Sequence, residues 1–101
     1  MRRGDIYEIT TVTGRSMTAL VVSDTDIANP IGYAFIAPIV PSPPSRQYVT
    51  TPLAAVDGHA ILWRMQAVPA EHLSKGVHRG AATEAELGEI DAIMKALLGL
   101  Q

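Results

Sequence analysis

Hydrophobic and polar positions along the chain first follow the pattern of strands. Up to residue 68, short apolar runs rich in Val, Ile and Thr are separated by Gly, Pro, Asn and Asp, which is typical of β-strands and turns. The expected strands are residues 6–12, 17–23, 33–40, 48–51 and 59–68. The second, MTALVVS, is almost continuously apolar, which predicts burial on both faces. Pro38 cannot donate to a ladder, so it predicts a sheet edge, a bulge or a strand end.

The end of the chain follows the period of an amphipathic helix. Thr83 and Glu86 have the spacing of a capping box, and Gly99 is a helix stop. One stripe at helical spacing is apolar: Leu87, Ile90, Met94, Leu97 and Leu98. Strands followed by a single helix predict a mostly β fold, a small SH3-like curled β-barrel with the C-terminal helix packed on it.

The connections between these elements have recognisable turn chemistry. Residues 24–32 predict a connection with one helical turn, and the proline-rich residues 41–46 predict an exposed, stiff loop. Asp57 and Gly58 predict a tight turn, and residues 69–73 predict a short helical turn.

Length and composition indicate one domain over residues 1–101. The chain is 48% hydrophobic and 18% charged, too apolar for a disordered protein. A core this small is marginal by itself, so we expect a homodimer that covers more apolar surface. The absence of cysteine excludes disulfides and thiolate chemistry. No apolar stretch is long enough for a signal peptide or a membrane span, which predicts a cytoplasmic protein with no membrane contact.

Charge does not indicate a dedicated nucleic-acid binder, because the net charge is −2. Any such contact must therefore come from a local patch. Arg64 and Gln66 share one face of the expected strand 59–68, which suits an RNA surface or ordinary solvent exposure. Trp63 points to the opposite face, toward the core or a subunit interface.

Two further groups of residues carry possible chemistry. Arg46 and Tyr48 end the proline-rich loop and offer a charge and a stackable ring to RNA or a peptide, unless the loop only connects strands. The histidines are isolated, and no two His or acidic residues have metal-ligand spacing on one element. We therefore expect neither a metal nor another cofactor.

Six segments in order resemble the MazF/PemK toxins of bacterial type II toxin–antitoxin systems, which are related to CcdB. They are RGDIY at 3–7, ALVVS at 19–23, DIAN at 26–29, IAPI at 36–39, WRMQAV at 63–68 and the expected helix 83–100, which ends in ALLGL. The resemblance implies a homodimeric, sequence-selective endoribonuclease that cuts single-stranded RNA without metal. It also implies a cognate antitoxin protein that competes with RNA for one groove.

The catalytic positions depart from this family's pattern. The family relies on an arginine at the start of the second strand and a threonine or serine at the end of the third, where this chain has Met17 and Val40. The resemblance then implies weakened activity, unless neighbouring residues have taken over. Arg15 is the candidate phosphate ligand, with Ser16 or Thr18 as the hydroxyl, although Arg15 also suits a solvated turn.

Two other function classes fit the same chain. A CcdB-like toxin binds DNA gyrase without cleaving anything, so it needs neither the arginine nor the threonine. A non-toxic homologue would only bind an antitoxin or nucleic acid. The C-terminus, without a tryptophan, does not favour the gyrase-binding class.

Overall fold

In the part of the chain that the structure describes, the framework is an antiparallel, curled sheet with three helices. The computed structural model describes residues 2–11, 13–41 and 50–99. In chain order its elements are β1 (Asp5–Thr10), β2 (Ser16–Val21), α1 (Thr25–Ile31), β3 (Tyr33–Val40), β4 (Thr50–Leu53), β5 (Gly58–Ile61), a 3₁₀ turn (Leu62–Arg64), β6 (Gln66–Pro69), α2 (Ala70–Ser74), β7 (Val77–Ala81) and α3 (Glu84–Leu98). The strand order is β4-β5-β3-β2-β1-β7, and β6 also pairs with β3. The predicted mostly β class with a C-terminal helix is confirmed.

Strand β3 lies in the middle of this sheet and has the predicted bounds. One side of β3 pairs with β2 from Ile36 to Ile39. The other side pairs with β6 up to Ile36 and with β5 from Ile39. Pro38 falls between these two ladders, where β3 changes partner. Its missing N–H is therefore tolerated within a central strand, and Pro38 does not mark a sheet edge.

The expected single strand over residues 59–68 is wrong. It is divided into β5 and β6 by the 3₁₀ turn, in which Leu62 is fully buried. The turn lets the chain leave one part of β3 and pair with another part of the same strand. A continuous apolar run carries no signal for such a change of partner, so periodicity alone predicts one strand.

Strand β7 has no counterpart among the predicted strands. Its sequence, VHRGA, contains a single large apolar residue and is mostly exposed. It forms because β1 offers an unpaired edge, and a bulge between Ile6 and Tyr7 adjusts its register. Helix α2 confirms the short helical turn predicted near this position, and α1 is a helix of seven residues. No helix in the described part of the chain is long and apolar enough to cross a bilayer.

The sheet is packed on both faces, as the apolar second strand predicts. Leu20 lies in one cluster of buried residues, with Ile6, Ala37, Leu53, Ala60, Leu62 and Ile90. Ala19 and Val21 lie in a second cluster, with Ile9, Ala34, Ile36 and Leu73. Helix α3 covers the first cluster and α2 covers part of the second, because Ile90 and Leu73 are the buried residues of these helices.

Helix α3 begins and ends as predicted. The backbone N–H of Glu86 donates to Oγ1 of Thr83 at 3.1 Å, and the backbone N–H of Thr83 donates to Oε1 of Glu86 at 2.8 Å. Gly99 ends the helix with φ 70°, a conformation that favours glycine. The predicted apolar stripe is wrong at its end, because Leu97 and Leu98 are 40% and 60% exposed. Both lie beyond the residues that pack against the first cluster.

Removing the cap should destabilise the protein measurably. We expect Thr83→Ala to lower the free energy of unfolding by about 1 kcal/mol, because the N–H of Glu86 loses its acceptor. Thr83→Ser keeps the hydroxyl and should stay close to the wild type. Urea denaturation of the three proteins measures the difference, and equal stability of the alanine variant would show that the helix end is frayed in solution.

Glu86 also makes stability depend on pH. The backbone N–H groups of Thr83 and Ala54 donate to its carboxylate and lower its pKa from the ordinary value of 4.5. The folded state favours the ionised form of Glu86. Its contribution to the free energy of unfolding is therefore fully present above pH 4.5 and is lost as the pH falls through the lower folded pKa. The stability advantage of the wild type over Glu86→Gln should therefore shrink in acid. A stability difference between the two proteins that stays constant in urea melts as the pH falls below 4.5 would contradict this prediction.

Candidate functional site

Two depressions meet at His72. The first, here called the polar cleft, has a volume of about 600 Å³ and is lined by Glu8, Thr10, Ser16, His72, Lys75, Gly76, Val77 and Arg79. The second, the apolar groove, has a volume of about 220 Å³ and is lined by Ile9, Thr11, Met17, Gln66, Ala67, Val68, Pro69 and His72. The alternation of β1 separates them, because Glu8 and Thr10 line the cleft while Ile9 and Thr11 line the groove.

The polar cleft contains an ion pair and an additional cation. Nε of Arg79 donates to Oε1 of Glu8 at 3.0 Å, and Nη2 of Arg79 donates to the same oxygen. Lys75, at the end of α2, has no ion pair among the described residues. Glu8 and Arg79 offset each other's charge, so Lys75 leaves the cleft with a net positive charge, which favours an anionic ligand such as a phosphate.

The close approach of α2 to β1 depends on Leu73 and Gly76. Leu73 is fully buried in the second cluster and anchors the helix. A Cβ at Gly76 would lie 2.7 Å from the carbonyl oxygen of Glu8 and 2.9 Å from Cγ2 of Ile9, so only glycine allows this contact. The absence of a side chain at position 76 thus brings His72 and Lys75 to the cleft that Glu8 lines.

The apolar groove contains the position of the expected family arginine. Met17 occupies it, and Nε2 of Gln66 lies 4.0 Å from its Sδ atom. Thr18 pairs with Ile39, and Met17 and Val40 are the next residues along β2 and β3 from this pair. The two positions to which the resemblance assigns the family's chemistry therefore lie on adjacent strands, and both are apolar in this chain.

The residues predicted as catalytic are only partly brought together. Arg15 is exposed at the end of the β1–β2 hairpin, where its carbonyl accepts from the backbone N–H of Thr11 at 2.8 Å. Thr11 lines the apolar groove and Ser16 lines the polar cleft, so this end of the hairpin adjoins both depressions, and Arg15 itself lines neither. Thr18 lines a third depression of about 170 Å³, together with Ile39, Val40, Pro41, Val56, Asp57 and Gly58.

The predicted RNA-binding residues are also separated. Arg64 and Gln66 do not share a strand face, because Arg64 belongs to the 3₁₀ turn and Gln66 begins β6. Gln66 lines the apolar groove, whereas Arg64 lies over the ring of Trp63 at 5.8 Å from its centroid. Trp63 is 53% exposed and not part of the core, contrary to one of its two predicted placements. Arg46 and Tyr48 lie outside the described residues.

Sequence reasoning missed four residues of the polar cleft: Glu8, His72, Lys75 and Arg79. Polar side chains at positions 8 and 10 within β1 were the available signal, since they show that one face of the strand becomes polar. Their partners are more than sixty residues away in the chain, so only the folded sheet reveals the cluster. The described residues contain no group of three or more His, Cys, Asp or Glu that could hold a metal ion.

These features define a class of fold, a small curled antiparallel sheet with a C-terminal helix and a site at the end of its first hairpin. The particular fold is that of the MazF toxins. The alignment with a MazE–MazF complex from Deinococcus radiodurans covers 100% of this chain and 97% of the matched chain, with TM-score 0.82 and 17% identity. The alignment with an endoribonuclease in complex with its cognate antitoxin, from a mycobacterial species, also covers 100% of this chain and 97% of the matched chain, with TM-score 0.86 and 15% identity.

A third solved structure extends the likeness. The Mycobacterium tuberculosis toxin MazF-mt6 matches 96% of this chain and 98% of its own, with TM-score 0.76 and 13% identity. No protein-family model and no curated protein matches the sequence. The predicted resemblance to MazF/PemK proteins is thus confirmed at the level of the fold.

Proposed function

We propose that the protein is the toxin of a type II toxin–antitoxin system and a sequence-selective, metal-independent endoribonuclease of single-stranded RNA. The observation that carries the proposal is the likeness of the whole chain to MazF structures, one of them an endoribonuclease bound to its cognate antitoxin. The partners of this chain are then a second copy, a cognate antitoxin and RNA.

In this proposal RNA lies across His72. A base occupies the apolar groove, where the Gln66 amide can hydrogen bond to its edge, and backbone phosphates lie toward the positively charged polar cleft. Arg64, which lies over the ring of the exposed Trp63, provides a further cationic surface, and Arg46 and Tyr48 complete the proposed RNA-binding set.

The proposed reaction is attack of a 2′-hydroxyl on the adjacent phosphate. The phosphorane that forms carries more negative charge than the starting diester, so it requires a cation. Met17 and Val40 cannot provide charge, whereas the Arg15 guanidinium can contact two phosphate oxygens in one plane. Ser16, the next residue, lines the polar cleft and can donate a hydrogen bond to the same phosphate. Thr18 is the alternative hydroxyl.

The test is cleavage of a mixed-sequence, single-stranded RNA by the purified protein in EDTA. We expect discrete fragments with 2′,3′-cyclic phosphate ends, and growth arrest on expression that a cognate antitoxin relieves. Growth arrest without fragments would support a binding toxin of the gyrase-directed class instead. If the protein produces no fragments and causes no growth arrest, it is a non-toxic homologue.

The proposed homodimer makes a separate prediction. Large apolar side chains remain exposed around the start of β3, where Ile31, Tyr33 and Phe35 are 53%, 49% and 44% exposed. The rest of the apolar run 33–40 is buried or half-buried, so only its first part is free to form an interface. Sedimentation equilibrium at micromolar concentration should give about twice the chain mass of 10.8 kDa. A monomer throughout would contradict the dimer.

A further inference from the structure

Cleavage of RNA by its own 2′-hydroxyl needs more than a cation. A base must accept the proton of the attacking hydroxyl, and an acid must protonate the 5′ oxygen that leaves. Without a metal, side chains must provide both. The apolar pair Met17 and Val40 can do neither, and the proposed roles of Arg15 and Ser16 leave the two proton transfers unassigned.

We propose that the polar cleft performs these transfers, with Glu8 as the general base and His72 as the general acid. The inference rests on the proposed function and names its catalytic residues. Within the described residues, this cleft brings a carboxylate, an imidazole and two cationic side chains to one concave surface. It also meets the apolar groove at His72, so a base in the groove places the neighbouring phosphate toward the cleft.

The hydrogen bonds of Glu8 prepare its carboxylate for this role. Both N–H groups that Arg79 donates go to Oε1, and no hydrogen bond within the described residues engages Oε2. Arg79 is therefore a positioning residue that holds one oxygen and leaves the other available to accept a proton. The carboxylate is also accessible, since the Glu8 side chain is 35% exposed.

His72 is held where the two depressions meet. The next residue, Leu73, is fully buried, and Gly76 lets the end of α2 contact β1 closely. The charged groups that line the cleft with His72 are Glu8 from β1, Lys75 from the end of α2 and Arg79 from β7. Lys75 adds a positive charge to the cleft and attracts the phosphate, and it transfers no proton itself.

The step balances without a co-reactant. Oε2 of Glu8 takes the proton of the 2′-hydroxyl as its oxygen forms a bond to phosphorus. The bond between phosphorus and the 5′ oxygen breaks, and the His72 imidazolium gives its proton to that oxygen. The products are a 2′,3′-cyclic phosphate and a 5′-hydroxyl, and the enzyme is left with a protonated Glu8 and a neutral His72, which exchange protons with water.

The first experiment compares Glu8→Gln and His72→Gln with the wild type in single-turnover cleavage of an RNA that the wild type cuts. Each variant should be slower by about a hundredfold or more, with RNA affinity changed only a few-fold. Glu71→Gln and His59→Gln are matched controls, because neither residue lines the cleft, and both should keep the wild-type rate. Thermal melts should show all four variants folded, since the Glu8–Arg79 pair is partly exposed and contributes little to stability.

The second experiment assigns the acid. In a substrate with sulfur in place of the leaving 5′ oxygen, departure needs no protonation, because a thiol is far more acidic than an alcohol. His72→Gln should then regain nearly the wild-type rate, and Glu8→Gln should remain slow. A loss of activity caused only by altered structure would not be rescued in this way.

Three other outcomes would overturn the proposal, and each contradicts a different part of it. If the wild type cleaves RNA and both variants match it, the cleft is not catalytic, although the proposed function stands. If His72→Gln is slow on both substrates, His72 is not the acid. If the wild type does not cleave RNA at all, the proposed function and the catalytic cleft fail together.

Discussion

Arg15→Ala is expected to reduce the rate of RNA cleavage by about a hundredfold while RNA affinity falls only a few-fold. The phosphorane is more negative than the ground-state diester, so a guanidinium that meets the developing charge acts mainly on the chemical step. Arg15 lies at the hairpin end that adjoins both depressions, next to Ser16 in the polar cleft. Arg15→Lys should restore only part of the rate, because an ammonium cannot hold two phosphate oxygens in one plane.

Single-turnover rates and equilibrium binding of an uncleavable 2′-deoxy analogue separate the two effects. Arg2→Ala is a suitable control, because Arg2 is exposed and precedes β1, at the opposite end of that strand from the hairpin of Arg15. If the wild type cleaves RNA and Arg15→Ala cleaves equally well, Arg15 is only a solvated turn residue. Arg64, which lies over the ring of the exposed Trp63, is then the next cation to test.

Ile90→Ala is expected to lower the free energy of unfolding by about 2–5 kcal/mol. Ile90 is 1% exposed and is the buried residue through which α3 enters the cluster of Ile6, Leu20 and Leu62. The substitution removes apolar contacts and leaves a cavity that the sheet can only partly fill. Small domains have about 5–15 kcal/mol of stability in total, so this loss would be a large fraction of it.

The matched control lies on the same helix. Leu98 is 60% exposed, so Leu98→Ala should change stability by about 0.5 kcal/mol or less in the isolated chain. Urea melts at one low protein concentration compare the two variants without a contribution from association. Equal losses at both positions would mean that α3 packs through its last turn as well, as the sequence pattern alone suggests.

Local chemistry explains why some elements were predicted well. The limits of α3 depend on Thr83, Glu86 and Gly99, whose hydrogen bonds and backbone conformation involve only residues close by in the chain. The bounds of β3 follow in the same way from a run of apolar residues after Gly32. The burial of β2 on both faces follows from its lack of alternation, which only a strand with two covered faces tolerates.

Other features depend on partners that are distant in the chain. β7 is a strand because β1 has a free edge, and its own residues carry little strand signal. The division of residues 59–68 into β5 and β6 depends on how β3 distributes its pairing around Pro38. The exposure of Leu97 and Leu98 depends on where the first cluster ends, since helical spacing places them on the same stripe as Ile90.

The sequence by itself therefore determined the fold class, the last helix and the loss of charge at Met17 and Val40. Those properties depend on periodicity, capping and residue type, which act locally. Only the tertiary structure decided that Ser16 lines the polar cleft while Thr18 lines another depression. It alone gathered Glu8, His72, Lys75 and Arg79 in one cleft, because strand pairing and the close contact at Gly76 join segments more than sixty residues apart.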